Sequence, residues 1–286
     1  AKPNIIFIMA DDLGWGDLAC YGNPHIKTPN LDRLASQGTL FTDFYAPSPV
    51  CSPSRIGFMT GKYPASLGFH YALRPESTEN AKRGMPDYLD PEMSHLTWSL
   101  KRAGYTIGHF GKWHIGLTEG APAPDEYGID EWKTFLSTNA AWDWNTRGFQ
   151  SQSTKLIVDE TLAFISKNKQ SPFFAQLWLM DPHATLDPTA EQMDEYKQWS
   201  PGGGASKHEG ALRIYYSVVT NMDKQLGRLF KKLDELNLSD NTLLIFTSDN
   251  GPESIYRRTT SHSGVGTAGP FRGRKCTIYE GGIRVP

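Results

Sequence analysis

Apolar and polar residues follow two kinds of pattern along this chain. Short continuous apolar runs, typical of strands buried on both faces of a sheet, alternate with segments in which apolar residues recur every three or four positions. The runs predict strands at residues 4–10, 105–111, 172–180 and 242–248. Strands that alternate with helices in this way indicate an α/β fold, with a largely parallel sheet and helices on both of its faces.

The helical segments carry recognisable start and stop signals. Residues 28–38 predict a helix with Thr28 as its N-cap, Pro29 at its first position and Gly38 beyond its end. The longest amphipathic pattern predicts a helix from about residue 208 to residue 237, because its apolar residues recur at three- and four-residue steps. Further helices are predicted at residues 94–104 and 153–169.

Size and composition limit the possible partners. A chain of 286 residues is long for one ordinary domain but fits a single α/β unit. Its net charge of -2 gives no general attraction to nucleic acid or to a membrane surface, so local charge must hold any anionic ligand. Three distant cysteines form neither a disulfide framework nor a zinc motif, and no apolar run is long enough to span a membrane.

Acidic residues follow the first and the last predicted strand. Asp11 and Asp12 come after the first strand, and Asp249 and Asn250 come after the last. If both loops lie at one sheet edge, the carboxylates converge, and two such charges about 4 Å apart repel by roughly 4 kcal/mol. We therefore expect a hard divalent ion, Ca²⁺ or Mg²⁺, among these oxygens. The alternative is that each aspartate only caps a turn.

The stretch PSPVCSPSRIGFMTG, residues 47–61, places a cysteine at the start of a predicted helix. Cys51 or Ser52 occupies the predicted N-cap, and Arg55 lies one turn further along. A thiol at a helix N-terminus is either an activated thiolate with a lowered pKa or an ordinary buried cysteine. The residues alone do not decide between these two interpretations.

Basic and imidazole side chains are predicted at the same edge of the sheet. Lys112 and His114 follow a strand and point to the same side if the backbone is extended. His183 follows the strand at 172–180, and Lys275 lies in a glycine-rich basic segment. Each has an ordinary explanation, but together they predict a pocket for a tetrahedral oxyanion with acid and base groups at hand.

Several motifs carry a resemblance to a known family. They are ADDLGWGD, TPNLDRLASQG, CSPSR, TGKYP, GKWHIG, SDNG and RGRKCTIYEGGIRVP. With these motifs in order, the sequence resembles the type I sulfatases of the alkaline-phosphatase superfamily. The resemblance implies an alkaline-phosphatase-like fold with a largely parallel, mixed sheet and one catalytic domain over residues 1–286. We expect the smaller C-terminal subdomain usual in the family to be absent from this chain.

The resemblance also implies a maturation step and a metal site. In this family the signature cysteine, here Cys51, is oxidised to formylglycine by a formylglycine-generating enzyme, and the hydrated aldehyde is the nucleophile. Arg55 would steady that group beside the metal. The implied ion is Ca²⁺ rather than Mg²⁺, and its implied ligands are Asp11, Asp12, Asp249 and Asn250.

The remaining polar residues take catalytic roles by the same resemblance. Lys112 and Lys275 would bind the sulfate oxygens. His114 would take the proton that drives sulfate elimination, and His183 would protonate the leaving alcohol, with Lys275 as a second donor. The implied reaction is hydrolysis of a sulfuric ester. The alternatives are a phosphate or phosphonate ester hydrolase of the same superfamily, and a non-catalytic binder of sulfated glycans with unmodified Cys51.

Long loops outside the motifs are rich in aromatic and basic residues. Aromatic rings stack on sugars and guanidinium groups bind sulfates or carboxylates, so we expect a sulfated carbohydrate rather than a small aryl sulfate. The candidate substrate residues are Arg74, Trp142, Arg147, Arg257, Arg258 and His262. We also expect the mature chain to be exported, although it opens directly on a strand, as a cytosolic chain also would.

Overall fold

A five-stranded parallel sheet forms the centre of the molecule. The computed structural model describes residues 2–199, 207–255 and 262–286. The strands are β1 (Asn4–Ala10), β2 (Thr106–Lys112), β3 (Glu131–Phe135), β4 (Phe173–Trp178) and β5 (Thr242–Ser248). Their order is β3-β2-β4-β1-β5, and every pairing is parallel. The predicted α/β class with a parallel sheet is confirmed.

Eight α-helices surround the sheet in the described part of the chain. They are α1 (Pro29–Gln37), α2 (Cys51–Thr60), α3 (Ser77–Lys82), α4 (Leu96–Arg102), α5 (Phe149–Asn168), α6 (Ala190–Met193), α7 (Lys207–Glu235) and α8 (Glu280–Ile283). Short 3₁₀ turns connect them at Trp15–Asp17, Ala19–Tyr21, Pro64–Leu67, Pro124–Tyr127, Asp194–Trp199, Ser239–Asn241 and Ser263–Val265. Within the described residues, none of the helices has both the length and the apolar character to cross a bilayer.

Helices cover both faces of the sheet because alternate strand residues point to opposite sides. On β1, Ile6 and Ile8 belong to a core that includes apolar residues of α1, α5 and α7. Met9 of the same strand belongs to a second core, which includes Ile56 and Met59 of α2. Burial on both faces of the sheet therefore explains the short continuous apolar runs of β1 and β4. The run in β5 is different, because β5 is an edge strand and its Leu243 and Ile245 are exposed.

Several predicted boundaries differ from the structure by one to four residues. The helix predicted at residues 94–104 is Leu96–Arg102, and the strand predicted at residues 172–180 is Phe173–Trp178. The helix that contains Cys51 begins at that residue, and Val50 is its N-cap, so the predicted N-cap at Cys51 or Ser52 is wrong by one or two residues. The helix predicted at residues 153–169 begins at Phe149, four residues earlier. Strand β3 has no counterpart among the predicted strands.

The loops beyond the carboxyl ends of the strands are joined to one another by backbone hydrogen bonds. Asp249 N donates to Ala10 O at 3.1 Å, and Asp11 N donates to Asp181 O at 3.1 Å. These bonds connect the segments that follow β1, β4 and β5. Side chains from three segments far apart in the sequence are thereby held at one edge of the sheet.

Candidate active site

The structure brings the two acidic pairs together at that edge. Asp11 and Asp12 follow β1, Asp249 and Asn250 follow β5, and all four are buried. Asp12 N donates to Asp249 Oδ1 at 3.2 Å, and Asn250 Nδ2 donates to Asp12 Oδ1 at 2.7 Å. Asp12 adopts a positive φ of 66°, a conformation that Asp tolerates better than most residues.

Three buried cations lie among these carboxylates. Arg55 of α2 contacts Asp249 Oδ2 at 2.7 Å and lies 3.6 Å from Asp11 Oδ2. Lys112, at the end of β2, donates to the same Asp11 oxygen. Lys275 donates to Asp12 Oδ2 at 2.6 Å. The positive charge that converging carboxylates require is supplied in part by these side chains.

Burial and these charges act against each other on the carboxyl groups. Burial alone would raise the pKa of Asp11, but the positive charges around it, Lys112 foremost, hold that pKa well below its usual range. Burial would also raise the pKa of Asp12, but the positive charges around it, Lys275 foremost, together lower that pKa. Burial, and then the negative charge of Asp11, raise the pKa of Asp249 to about 7. A divalent cation beside Asp249 would favour its ionised form.

Two buried oxygens fit a cation. Among the described residues, Asp11 Oδ1 and Asn250 Oδ1 are buried acceptors without a hydrogen-bond partner, which is costly for a polar atom inside a protein. Ligand atoms of Asp11, Asp12 and His183 lie within 4.8 Å of one another. Oxygen-rich sets of this kind suit Ca²⁺ or Mg²⁺. His183 Nε2 lies beside these oxygens, 3.7 Å from Asp12 Oδ2.

Cys51 lies at the start of α2 and is buried, with 3% of its surface exposed. Burial raises the pKa of its thiol despite the nearby charges of Lys112 and Lys275. Of the two interpretations left open by the sequence, the thiolate with a lowered pKa is wrong. The side chain nevertheless lines a cavity, so its environment is more than apolar packing.

That cavity, called here the central cavity, has a volume of about 920 Å³. The predicted polar residues on its wall are Cys51, Lys112, His114, His183 and Lys275. Arg55 lies beneath them with its guanidinium 5.1 Å from the centre of the Trp178 ring.

The protonation states of the two histidines are set mainly by burial. Burial, reinforced by the charge of Lys112, lowers the pKa of His114 well below its ordinary value. Burial, and then Lys275, lower the pKa of His183 to about 4. Both rings are therefore neutral at pH 7. The backbone at His114 has a φ of 58°, so the extended geometry assumed for Lys112 and His114 is wrong, although both side chains line the central cavity.

The structure places only some of the predicted substrate residues on the cavity wall. Arg74 and Arg147 line the central cavity. Trp142 does not, because its ring packs against Phe149 beside the core, and Trp144 lines the cavity instead. His262 is exposed at the start of a 3₁₀ turn and is not among the lining residues. Arg257 and Arg258 lie outside the described residues.

Glu253 is a polar residue of the cavity wall that the sequence analysis missed. It is buried, and its Oε2 lies 3.4 Å from Lys275 Nζ. It comes three residues after Asn250, in the loop that follows β5. The same rule that identified Asp249 and Asn250, polar residues just beyond a strand end, could have identified it.

Comparisons with known proteins agree with this geometry. A family model described as Sulfatase matches residues 3–286. Human N-acetylgalactosamine-6-sulfatase is 34% identical over 318 residues, covering 99% of this chain and 56% of that protein. The N-acetylgalactosamine-6-O-sulfatase of Bacteroides thetaiotaomicron is 29% identical over 365 residues, covering 100% of this chain and 66% of that protein.

Solved structures give the same relationship. Ps i-CgsB in complex with k-i-k-neocarrahexaose has a TM-score of 0.82 and 30% sequence identity, covering 100% of this chain and 65% of that chain. The curated relatives are matched over about half to two thirds of their length, 56% and 66%.

Proposed function

This chain belongs to the sulfatase family, and on that premise we propose that it hydrolyses a sulfate ester carried by a carbohydrate. One observation carries the proposal. Cys51, Lys112 and Lys275 line one cavity, and the two lysines contact the carboxylates of Asp11 and Asp12. A sulfate ester is a tetrahedral anion, so a wall of fixed cations beside a nucleophile position suits it.

We propose that the nucleophile arises by maturation of Cys51 and that the metal is a divalent cation bound by the acidic cluster. Cys51 oxidised to formylglycine by a formylglycine-generating enzyme, together with a divalent cation on the acidic cluster, would supply a geminal diol and a Lewis acid. The proposed ligands of the cation, for which we favour Ca²⁺ over Mg²⁺, are Asp11, Asp12, Asp249 and Asn250. The raised pKa of the thiol fits a residue that does not act as a thiolate.

The cations of the site have separate proposed roles. Arg55 contacts Asp249 and lies under the cavity, so it holds the acidic cluster in place from below. Lys112 and Lys275 bind the sulfuryl oxygens and offset the negative charge already present on the ester. Fixed donors of this kind stabilise a transition state because they need no reorganisation when charge develops.

Each histidine has its own proton-transfer role in the proposed reaction. His114 is neutral because its pKa is lowered by burial, so it can accept the proton whose loss drives sulfate elimination. His183 is neutral before substrate binds, but an anionic ester nearby would favour its protonated form and allow it to protonate the leaving alcohol. Lys275 is the second candidate donor. Burial would lower its pKa, but nearby negative groups, Asp12 foremost, raise it, so Lys275 is a weaker acid than His183.

A carbohydrate substrate is supported by the relatives and by the cavity. The two curated relatives are named as sulfatases of N-acetylgalactosamine 6-sulfate. A volume of about 920 Å³ lies at the upper end of the range for ligand pockets. Trp144, Arg74 and Arg147 on its wall offer one aromatic face and two guanidinium groups for a sugar and its charges.

A mass and activity measurement tests the proposal. The protein is produced with a formylglycine-generating enzyme, and the mass of the peptide that contains Cys51 is compared with that of Cys51→Ala. We expect the thiol-to-aldehyde mass change and turnover of sulfated N-acetylgalactosamine that Cys51→Ala abolishes, while Cys276→Ser, at an exposed cysteine, retains both. Faster turnover of aryl phosphate than of aryl sulfate would favour a phosphate ester hydrolase. Binding without turnover or mass change would favour a glycan-binding protein.

A further inference from the structure

The segment of residues 71–76 forms one wall of the central cavity and is fixed to the catalytic elements. Leu73 N donates to Ser52 Oγ at 3.0 Å, and Ser52 lies next to Cys51 in α2. Leu73 O lies 3.3 Å from His114 Nε2. The backbone at Leu73 is thus tied to both sides of the proposed reaction centre, and the next residue, Arg74, is held at a defined distance from it.

Asn80 holds the backbone of Arg74 from the other side. Asn80 is fully buried, and its Oδ1 accepts from Arg74 N at 2.9 Å while its Nδ2 donates to Arg74 O at 3.0 Å. The same Nδ2 donates to Asp87 Oδ1 at 2.8 Å, which fixes the orientation of the amide. A buried amide that binds both polar backbone atoms of one residue sets where that side chain begins.

Arg74 is an exposed residue of the cavity wall. In the ranges 2–199, 207–255 and 262–286 its side chain has no hydrogen bond or ion pair. The pKa of Glu79 is lowered mainly by its hydrogen bond with Lys82, and the charge of Arg74 contributes less. Arg83, by contrast, lies 4.6 Å from the centre of the Tyr71 ring. Arg74 therefore combines a fixed backbone with an uncommitted charge.

We propose that Arg74 binds a second anionic group of the substrate, a carboxylate or another sulfate on the same glycan, and that Asn80 is its positioning residue. This inference rests on the proposed function. Lys112 and Lys275 are assigned to the sulfuryl oxygens of the reacting ester, so a second anion of the same glycan needs a separate partner on the cavity wall. A guanidinium suits this role because it binds carboxylate and sulfate oxygens with two parallel hydrogen bonds.

Binding in an inactive background tests the inference independently of catalysis. The Kd of a saccharide with two anionic groups is compared with that of a monosulfated saccharide of the same length, using Cys51→Ala as the parent. We expect Arg74→Gln to reduce the preference for the dianionic saccharide about five- to tenfold, and the reduction to shrink at high salt. Arg33→Gln, at an exposed arginine of α1 away from the cavity, is the matched control and should leave the preference unchanged.

The outcomes separate this inference from the proposed function. If Arg74→Gln weakens both saccharides equally, or neither, the anion subsite is refuted even when the parent sequence with intact Cys51 hydrolyses sulfate esters. If that sequence has no sulfatase activity but Arg74→Gln still removes the binding preference, the subsite stands and the proposed reaction fails.

The role of Asn80 is tested by coupling. Asn80→Ser should lose the same preference as Arg74→Gln, and the double variant should be no worse than Arg74→Gln alone, because both changes remove one interaction. A loss that is additive, or that affects the two saccharides alike, would leave Asn80 with a structural role only and overturn its assignment as a positioning residue.

Discussion

Arg55 contacts several parts of the candidate site through one side chain. Its guanidinium contacts Asp249 at 2.7 Å, donates to Lys112 O at 3.3 Å and lies over the Trp178 ring. Arg55 and Asp249 are both fully buried, so removal of the guanidinium leaves a buried carboxylate without its partner. Leaving one partner of a buried ion pair uncompensated is far costlier than losing an exposed pair.

We therefore predict that Arg55→Ala lowers kcat/KM for a sulfate ester about 100- to 1000-fold, the range for loss of one fixed donor. The free energy of unfolding should also fall, by about 3 to 5 kcal/mol. Steady-state kinetics and urea unfolding measure the two effects, with Arg33→Ala as the exposed control. Near-normal turnover in Arg55→Ala would refute the role of this residue in the site.

His109 gives a prediction about pH. The side chain is buried between the edges of Trp113 and Trp178, and its Nδ1 lies 3.2 Å from Gln176 Oε1. Burial lowers the pKa of His109 to about 3, whereas a histidine in the unfolded chain has a pKa of about 6.5. As the pH falls below 6.5, His109 binds a proton in the unfolded chain, whereas in the folded chain it stays neutral until about pH 3. Stability from this group is therefore lost progressively across that interval.

The expected result is a fall in the free energy of unfolding between pH 6.5 and pH 4 that His109→Gln makes shallower, by an amount on the order of a few kcal/mol at pH 4. Denaturant unfolding at a series of pH values measures it. His70→Gln, at a surface position, is the matched control. Equal slopes for the parent protein and His109→Gln would show that burial of this ring does not govern acid stability.

At the scale of elements, the segment after β5 packs backbone to backbone on α8. Gly251 N donates to Gly282 O at 2.9 Å, and a Cβ on Gly251 would lie 1.9 Å from Gly281 O. Such a contact is possible only for glycine, so this packing physically connects two of the motifs, SDNG and EGGIRVP. Asn250, the adjacent residue, takes its position from that contact.

Gly251→Ala should force the two segments apart and move Asn250. We expect a lower melting temperature together with weaker Ca²⁺ binding, measured by calorimetry on the same sample. Gly38→Ala, where the nearest atom to the added Cβ is Leu34 O at 3.1 Å, is the milder control at an exposed helix end. Unchanged Ca²⁺ affinity in Gly251→Ala would mean that this contact does not set the geometry of the acidic cluster.

The elements that sequence patterns predicted best have continuous or strictly periodic apolar residues. β1, β4 and β5 are recognisable because they are continuous apolar runs, and α7 because its apolar face repeats over many turns. β3 was missed because it is a short edge strand whose first three residues are not buried, so its pattern is neither continuous nor alternating. The start of α2 was misplaced because no side chain caps it.

The candidate site was predictable where chemistry follows a strand end, and less so elsewhere. Asp11, Asp12, Asp249 and Asn250 follow β1 and β5 directly, so the parallel topology alone places them together. The sequence could not predict that Trp144 rather than Trp142 lines the cavity, because a loop has no periodicity that shows which side chain faces a cavity. The catalytic roles, the domain assignment and export stay predictions.

At the scale of the whole molecule, the acidic cluster joins the first strand to the last strand of the described sheet. Asp11 and Asp12 precede Asp249 and Asn250 by more than 200 residues in the sequence, yet they meet at one edge. An ion bound there would hold two distant parts of the chain together. A ligand that binds only the folded state stabilises it by mass action, by about 2.7 kcal/mol at 100 times its Kd.

We therefore predict that Ca²⁺ raises the melting temperature of the protein and that a chelator reverses the change. Asp11→Asn should abolish the dependence on Ca²⁺, because it removes the charge from the buried carboxylate whose Oδ1 has no hydrogen-bond partner in the described part of the chain. Asp240→Asn, in a 3₁₀ turn away from the cluster, should retain it. Differential scanning calorimetry across a Ca²⁺ titration measures this dependence. A melting temperature that does not change with Ca²⁺ would contradict the proposed metal site.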